Sequence, residues 1–317
     1  MPVSRCRFWL FAVILICYII GVVILSAISL HGIKNGNVAS GQLEGFEPGA
    51  TPELLQVPKR LKGSVDYKAA AFRPVLQRSK INWCSELQFI KTEEARKRKP
   101  VALVSFPGSG NTWLRYLLQQ ATGFYTGSVY KDYGLLKNGF PAESVTTSAV
   151  LVVKTHEWGQ KSRDMFSKAI LLVRAPDKSI HAEFNRQSGG HIGFASFDRY
   201  RRNKGKYWHQ FVNDNLKNWQ QLHMDWLHNF TGPIKVIFYE QLVNNTENTL
   251  ASVIHFLGVN VPKKSMDCAM EQKEGIYRRR KRFLNFNPFS NEMMLKINEA
   301  KDKVYGAISK LAIRETR

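Results

Sequence analysis

The sequence predicts an α/β domain whose parallel β-sheet carries helices on both faces, preceded by one N-terminal transmembrane helix. Short, continuously apolar runs alternate with segments of helical periodicity, as in sheets buried on both faces. The first run leads through a glycine-rich turn into a helical pattern. Upstream of these runs lies an uncharged stretch long enough to cross a bilayer.

Four short apolar runs in the domain are predicted to be strands. They cover residues 101–105, 149–154, 169–173 and 234–239. Between the last two, apolar residues recur at steps of three or four over residues 211–228, which predicts an amphipathic helix. Another helix is predicted to end at Gly258. Because such sheets bind ligands at the carboxyl ends of their strands, we expect the site beside the glycine-rich turn.

The N-terminal stretch, residues 8–30, has 23 residues and no charged side chain. At about 1.5 Å per residue it spans a bilayer core of about 30 Å. Arg5 and Arg7 precede it, whereas Lys34 is the only basic residue shortly after it. The positive-inside rule therefore predicts a signal anchor with residues 1–7 in the cytosol. A cleaved signal peptide is the alternative, although its apolar core is usually shorter.

Residues 31–74 are rich in glycine and proline, so we predict a flexible stem that leads to a lumenal domain at residues 75–317. Asn229 and Asn244 each begin a sequon for N-glycosylation, as expected of a lumenal domain. The same compartment permits a disulfide, which we predict between the two cysteines beyond the membrane segment, Cys84 and Cys268. Two unpaired thiols are the alternative.

The composition limits the kind of partner. The chain has 317 residues, of which 44% are hydrophobic, and a formal net charge of +21. Such a charge favours nucleic acid, an anionic membrane or a polyanionic ligand or glycan as partner, and a solvated surface is the alternative. No zinc-finger or RNA-binding signature occurs, which disfavours nucleic acid. The four cysteines have no metal-site spacing, so no metal is predicted.

The glycine-rich turn reads Ser-Phe-Pro-Gly-Ser-Gly-Asn-Thr-Trp over residues 105–113. A strand, a turn and a helix in this order direct backbone N–H groups at one point, which suits phosphate or sulfate. Gly108 and Gly110 allow close approach, and Thr112 adds a hydroxyl. An ordinary strand–helix connection is the alternative. No lysine follows Gly110, which disfavours an ATPase or GTPase.

Further candidates follow the other predicted strands. His156 suits a general base, because the pKa of histidine lies near working pH, and Lys154 suits the neutralisation of a transferring anion. Glu157 is the second choice of base. Arg174 suits a bidentate phosphate contact. A helix cap with surface charge is the alternative for the Lys-Thr-His sequence that contains Lys154 and His156.

A basic run near the C-terminus extends over residues 273–282 and includes Arg278 and Arg279. It is predicted to clamp a phosphate or an acidic glycan, and a solvated basic loop is the alternative of equal weight.

Together these motifs resemble those of the PAPS-dependent sulfotransferases. The family's Tyr-Pro-Lys-Ser-Gly-Thr-Thr-Trp loop resembles residues 106–113, and its Lys-Thr-His is matched at 154–156. Its Arg-Asn-Pro resembles residues 174–176, and its Tyr-Glu-Asp-Leu is similar to 239–242. The resemblance extends to the sulfotransferase part of the WSC-domain-containing sulfotransferases. Four cysteines cannot build the cysteine-rich WSC module itself.

The resemblance implies a P-loop-like sulfotransferase domain that uses PAPS as co-substrate and needs no metal. His156 would be the base and Lys154 the cation. The residues implied to contact PAPS lie in the loop, at two strand ends and in the basic run: Gly108, Ser109, Gly110, Asn111, Thr112, Trp113, Arg174, Tyr239, Arg278 and Arg279.

Two positions depart from the family pattern. Gly108 replaces the loop lysine, and Ala182 stands where the family has a serine. We therefore expect Lys154 to supply the missing cation, and Ser179 or the basic run to hold the 3′-phosphate.

The resulting expectation is a single-pass type II Golgi enzyme that sulfates a glycan, glycoprotein or glycolipid, with sialic acid as the suggested acceptor. The acceptor is expected over residues 124–147 and 187–208. A non-catalytic nucleotide- or glycan-binding pseudoenzyme of the same fold is the first alternative. A P-loop phosphotransferase is the second.

Overall fold

A single parallel sheet organises the part of the chain that the computed structural model describes, residues 81–191, 193–278 and 286–315. Its strands are β1 Val101–Ser105, β2 Gly127–Ser128, β3 Val153–Thr155, β4 Lys168–Val173 and β5 Ile234–Phe238. Across the sheet their order is β2-β3-β1-β4-β5, and every pairing is parallel. The carboxyl end of β1 therefore lies between those of β3 and β4.

The helices lie between and after the strands. In chain order they are α1 Thr92–Arg96, α2 Asn111–Thr122, α3 Tyr133–Lys137, α4 Gln160–Arg163, α5 Pro176–Gly189, α6 Phe197–Arg201, α7 Lys206–Asn229, α8 Tyr239–Asn244, α9 Thr246–Leu257, α10 Lys263–Glu271 and α11 Asn291–Glu315, with a 3-10 turn at Arg202–Gly205.

Each face of the sheet packs against its own group of helices. Ala102 and Val104 of β1 face a core formed with α5, α7 and α11, whereas Leu103 faces α2, α9 and α10. This alternation follows from the two-residue period of a strand. Because both faces are buried, the strands read as continuous apolar runs. The three-layer α/β fold expected from the sequence is the fold of the structure.

The strands differ from the predicted ones mainly at the β2–β3 edge. The predicted strand at 149–154 is wrong at its start, because β3 begins at Val153. The backbone N–H of Leu151 donates instead to Tyr125 O at 2.8 Å, outside the regular ladder. The short strand β2 is not predicted at all, since a glycine and a serine carry no apolar pattern. The run of apolar residues from 149 therefore did not show where the strand pairing of β3 begins.

The predicted helices are present with small shifts of their ends. The helix expected over 211–228 begins earlier, at Lys206, and the helix before Gly258 ends there in a left-handed cap. The long helix α11 is not among the predicted ones. Its buried residues recur at helical spacing, so the signal was available in the sequence: Met293, Ile297, Ala300, Val304 and Ile308.

A disulfide joins Cys84, upstream of β1, to Cys268 in α10, with their Cα atoms 5.9 Å apart. Cys84 also donates its backbone N–H to Gln120 Oε1 of α2 at 2.9 Å. The residues that follow α10 cover part of α2, because Tyr116 Oη donates to Gln272 O at 2.6 Å. The crosslink therefore joins the segment before β1 to α10, beside the helix that begins at the glycine-rich turn.

Several sequence predictions concern residues outside the described ranges. They are the cytosolic tail 1–7, the membrane segment 8–30, the stem 31–74 and Arg279. Among the residues that are described, no helix is both long and apolar enough to cross a membrane.

Candidate active site

The glycine-rich turn occupies the carboxyl edge of the sheet between β1 and α2. Gly108 has φ +79° and Gly110 has φ +96°, a left-handed conformation that glycine adopts without steric cost. Gly110 is the N-cap of the 12-residue helix α2, so the unpaired N–H groups of the first helical turn lie at the loop. The anion cradle predicted from the sequence therefore has the required backbone geometry.

Position 108 has no room for a side chain. A Cβ there would lie 2.4 Å from Ser179 O and 2.8 Å from the Glu183 backbone nitrogen, both in α5. A Cβ at Gly110 would similarly lie 2.6 Å from the ring of Tyr239. The missing loop lysine thus has a steric cause, because α5 occupies the space into which a side chain would project.

Two buried donors at the loop lack a hydrogen-bond partner in the described part of the chain. They are Ser109 Oγ and Arg174 Nε. A buried unsatisfied polar group costs about 1–3 kcal/mol, so both donors suit an anionic ligand at this edge. Asn111 is different, because its amide nitrogen donates to Leu103 O at 3.2 Å and to Ser105 Oγ at 3.1 Å. Its side chain therefore fastens the loop to β1.

Arg174 lies at the end of β4, next to the loop as predicted. Its Nη1 donates to Gly108 O at 2.8 Å, and its guanidinium lies 4.2 Å from the ring centroid of Tyr239. Burial lowers the pKa of Arg174, but an arginine remains charged in a protein. The residue thus positions the turn and brings positive charge to it.

His156 is oriented as a base. Its Nδ1 lies 2.6 Å from Ser105 O, and because a carbonyl only accepts, Nδ1 carries the proton. The neutral ring then has its lone pair on Nε2. Burial first, and the charge of Lys154 second, hold the pKa of His156 well below its ordinary value. The imidazole is therefore neutral at neutral pH, and the expectation that its pKa lies near working pH is wrong, because burial makes Nε2 a weaker base than a free histidine.

Tyr130 supports His156 from the loop after β2, within the segment 124–147 that is predicted to face the acceptor, although no contact with His156 is predicted for it. The two rings stack with their centroids 5.5 Å apart, and the His156 backbone N–H donates to Tyr130 Oη at 3.0 Å. Burial raises the pKa of Tyr130 well above its usual value, so its hydroxyl stays protonated and donates to Glu157 Oε1 at 2.6 Å. Glu157 is thereby engaged by Tyr130, which weakens it as an alternative base.

Lys154 is a buried cation of the site, with 8% of its surface exposed. Its Nζ lies 5.4 Å from the ring centroid of Tyr130. Burial, followed by the nearby charge of Arg115, lowers the pKa of Lys154 to about 8. Lys154 is therefore mainly protonated at neutral pH and loses its charge in mildly alkaline solution.

A second cation, absent from the sequence prediction, lies on α5. Arg186 donates from Nε and Nη2 to the two carboxylate oxygens of Glu183, each at 2.6 Å. Glu183 is 1% exposed and also accepts from Gln187 Nε2 at 3.0 Å. Only the fold reveals this pair, because an arginine three residues after a glutamate is common on any helix surface.

The residues that are expected to contact the nucleotide are more buried than the motifs implied. Trp113 is 2% exposed and its Nε1 donates to Lys273 O at 2.7 Å, while the guanidinium of Arg278 lies 5.1 Å from its ring centroid. Ser179 Oγ is fully buried and donates to Pro176 O at 3.2 Å. Of the two groups expected to hold the 3′-phosphate, the Ser179 hydroxyl is thus engaged within its own helix, and the basic run stays a prediction. Thr112 is partly exposed in the first turn of α2.

The two predicted glycosylation sites lie at the ends of helices. Asn229, the last residue of α7, and Asn244, the last residue of α8, are both exposed. In the described ranges, no group of three or more histidine, cysteine or acidic side chains is arranged to hold a metal ion.

The fold and this site define an α/β protein with an anion-binding loop and a neutral histidine at one sheet edge. The chain is 49% identical over 285 residues to "WSCD family member CG9164" of Drosophila melanogaster, covering 83% of this chain and 90% of that protein. It is 53% identical over 251 residues to "WSCD family member AAEL009094" of Aedes aegypti, covering 73% and 79%. The chain belongs to the WSCD family. No protein-family model matches it.

Solved structures that resemble the chain include mouse sulfotransferase SULT7A1 complexed with PAP, at 16% identity and a TM-score of 0.42, covering 65% of this chain and 83% of that one. Retinol dehydratase in complex with androsterone and inactive cofactor PAP has 15% identity and a TM-score of 0.42, covering 65% and 80%. These TM-scores are too low to support a conclusion about function.

Proposed function

We propose that this protein is a PAPS-dependent sulfotransferase that transfers a sulfuryl group to a hydroxyl of a glycan. The orientation of His156 carries the proposal. Its Nδ1–H is engaged by Ser105 O, which leaves Nε2 as the basic nitrogen, and Ser105 is the last residue before the glycine-rich turn. A neutral base next to an anion cradle is what proton removal from an attacking hydroxyl requires.

In the proposed reaction the acceptor hydroxyl attacks the sulfur in line. The new bond joins the acceptor oxygen to sulfur, and the bond from sulfur to the bridging oxygen of the phosphosulfate breaks. His156 Nε2 takes the acceptor proton, and PAP leaves with the electron pair of the broken bond. Lys154 contributes positive charge near His156 as negative charge develops.

The donor side of the site fits PAPS through its own unsatisfied groups. Ser109 Oγ and the first N–H groups of α2 would hold the phosphosulfate. The 3′-phosphate then falls to Arg174 and the basic run, since the hydroxyl of Ser179 is closed off. Tyr239 lies under the guanidinium of Arg174 and offers a ring edge to the adenine.

The acceptor segments carry exposed aromatic rings. Tyr133 is 61% exposed and Phe197 is 49% exposed, and they lie in the two segments expected to face the acceptor. Exposed rings suit the apolar faces of sugars. We extend the proposal to a glycan on a glycoprotein or glycolipid, with sialic acid as one candidate. The Golgi lumen, with residues 8–30 as a type II anchor, is the proposed location.

A non-catalytic nucleotide- or glycan-binding protein is the second candidate. The closure of position 108 by α5 favours it, because the turn brings backbone donors and no charged side chain to the sulfuryl group. The absence of a lysine after Gly110 disfavours a magnesium-dependent phosphotransferase, whose loop needs one.

The decisive experiment combines nucleotide binding with transfer. We expect the full chain, purified in detergent, to bind PAP in the absence of magnesium and to move labelled sulfate from PAPS to a member of a glycan panel. Binding of PAP without transfer to any acceptor would support the non-catalytic alternative. Absence of PAP binding, or magnesium-dependent binding of ATP in its place, would contradict both the sulfotransferase and the nucleotide-binding alternative, and would leave only a glycan-binding role.

The two titrating groups predict the pH dependence of transfer. The pKa of His156 is depressed, so the base stays neutral below pH 6.5 and activity persists on the acid side until the pH falls through that lowered value. The pKa of Lys154 is about 8, so activity is expected to fall above pH 8 as the cation is lost. A rate profile measured at saturating PAPS tests both limbs.

Lys154→Arg identifies the origin of the alkaline limb. Arginine does not deprotonate in this range, so the variant should keep its activity to higher pH, whatever its maximal rate. The exposed Lys217 provides the control, and Lys217→Arg should leave the profile unchanged. An alkaline limb at the same pH in Lys154→Arg would assign it to another group.

A further inference from the structure

The turn between β1 and α2 cannot supply a side-chain cation at position 108. The space for that side chain is occupied by α5. A Cβ at position 108 would lie 2.4 Å from Ser179 O and 2.8 Å from the Glu183 backbone nitrogen. A transferring sulfuryl group nevertheless gathers negative charge, which needs fixed positive charge or donors nearby. We therefore expect the substitute for the missing loop cation on α5, the helix that closes position 108.

Glu183 links that contact to a guanidinium. Its backbone meets the turn at Gly108, and its carboxylate accepts both Nε and Nη2 of Arg186 at 2.6 Å. Such a bidentate pair fixes the plane of the guanidinium as well as its position. Glu183 is 1% exposed and also accepts from Gln187, so its carboxylate is held in place and shielded from water.

Arg186 acts on the groups of the proposed reaction centre. Its charge contributes to the lowered pKa values of both Lys154 and His156, and it interacts with Asp132 and Tyr130. Lys154 lies in β3, His156 follows it, and Tyr130 and Asp132 lie in the loop after β2. Its hydrogen bonds with Glu183 raise the pKa of Arg186, so its charge is permanent.

Accessibility separates Arg186 from Lys154. The side chain of Arg186 is 37% exposed, although Nε and Nη2 are engaged by Glu183. Lys154 is 8% exposed and lies against the ring of Tyr130. A group that must meet a substrate needs an open side, and Arg186 has one.

We propose that Arg186, positioned by Glu183, is the catalytic cation that contacts the sulfuryl oxygens in place of a loop lysine. This inference rests on the proposed sulfotransferase function. Lys154 then lowers the pKa of His156 and adds positive charge near it, while Arg186 contacts the sulfuryl group that is transferred.

Arg186→Ala, Arg186→Lys and Glu183→Gln in the full chain test the assignment, with Lys217→Ala as the control that removes one exposed charge from α7. Removing a donor to a developing oxyanion lowers kcat by about 10²–10³-fold, which is the loss expected for Arg186→Ala. Arg186→Lys should recover part of it. Glu183→Gln should lower kcat with Arg186 still present, because the guanidinium loses its anchor.

Nucleotide affinity distinguishes contact from a structural role. PAPS differs from PAP by the sulfuryl group, so Arg186→Ala should weaken PAPS binding while PAP affinity and Tm stay at the wild-type values. Equal losses of PAP and PAPS affinity, or a wild-type kcat in Arg186→Ala, would overturn the assignment. A wild-type chain that binds no PAP would refute the proposed function itself, which is a separate result.

Discussion

Replacing His156 with alanine is expected to lower sulfate transfer by about 10²–10⁴-fold, the usual contribution of a positioned general base. The alanine removes Nε2, the only basic atom of the ring when Nδ1–H is engaged by Ser105 O. PAP affinity should remain, because the groups proposed to hold the nucleotide lie on the loop, β4 and α2. Initial rates with labelled PAPS and isothermal titration with PAP measure the two effects separately.

His228→Ala is the matched control, since His228 is an exposed histidine near the end of α7. It should retain wild-type rates. Undiminished transfer by His156→Ala would exclude His156 as the base and direct attention to Glu157, which lies next to it and accepts from Tyr130. Loss of PAP binding together with activity would instead indicate a collapsed site, which a comparison of Tm values detects.

Gly108→Ala is expected to lower the free energy of unfolding by about 2–4 kcal/mol, through left-handed strain and overpacking together. The alanine would adopt φ +79° and place its Cβ 2.4 Å from Ser179 O, which is backbone and cannot rotate away. For a domain of this size the Tm should fall by about 4–16 °C. Thermal unfolding at fixed protein concentration measures the shift.

Gly205→Ala separates the two causes, because Gly205 has φ +84° but no atom within 4 Å of a Cβ. That control should lose only about 1–2 kcal/mol from strain. Gly108→Lys should be at least as unstable as Gly108→Ala and should not raise transfer activity. A stable, more active Gly108→Lys would show that α5 yields to a side chain, contrary to the close packing of the structure.

The fold was accessible from the sequence where burial and periodicity coincide. β1 and β4 are buried on both faces and appeared as continuous apolar runs, and α7 carried its aromatic residues at helical spacing. β2 and the start of β3 were not accessible, because their limits depend on pairing with a neighbouring chain segment. Hydrogen bonds between segments remote in sequence leave no local pattern.

The site divides in the same way. Lys154 lies in the short strand β3, and His156 and Arg174 directly follow β3 and β4, so a parallel sheet necessarily brings them to one edge. Tyr130 and Arg186 reach that edge from a loop and from the side of α5, and no spacing along the chain predicts their arrival. The site therefore contains residues that the sequence motifs do not identify.

The sequence by itself determined the three-layer class, the glycine turn at a helix N-terminus and the residue types available to bind an anion, because these follow from local periodicity and strand order. Only the tertiary structure decided how those groups act. It fixed the tautomer of His156, lowered the pKa of Lys154 to about 8 and closed position 108 with α5. These properties arise from burial and from contacts between distant segments, which exist only once the chain has folded.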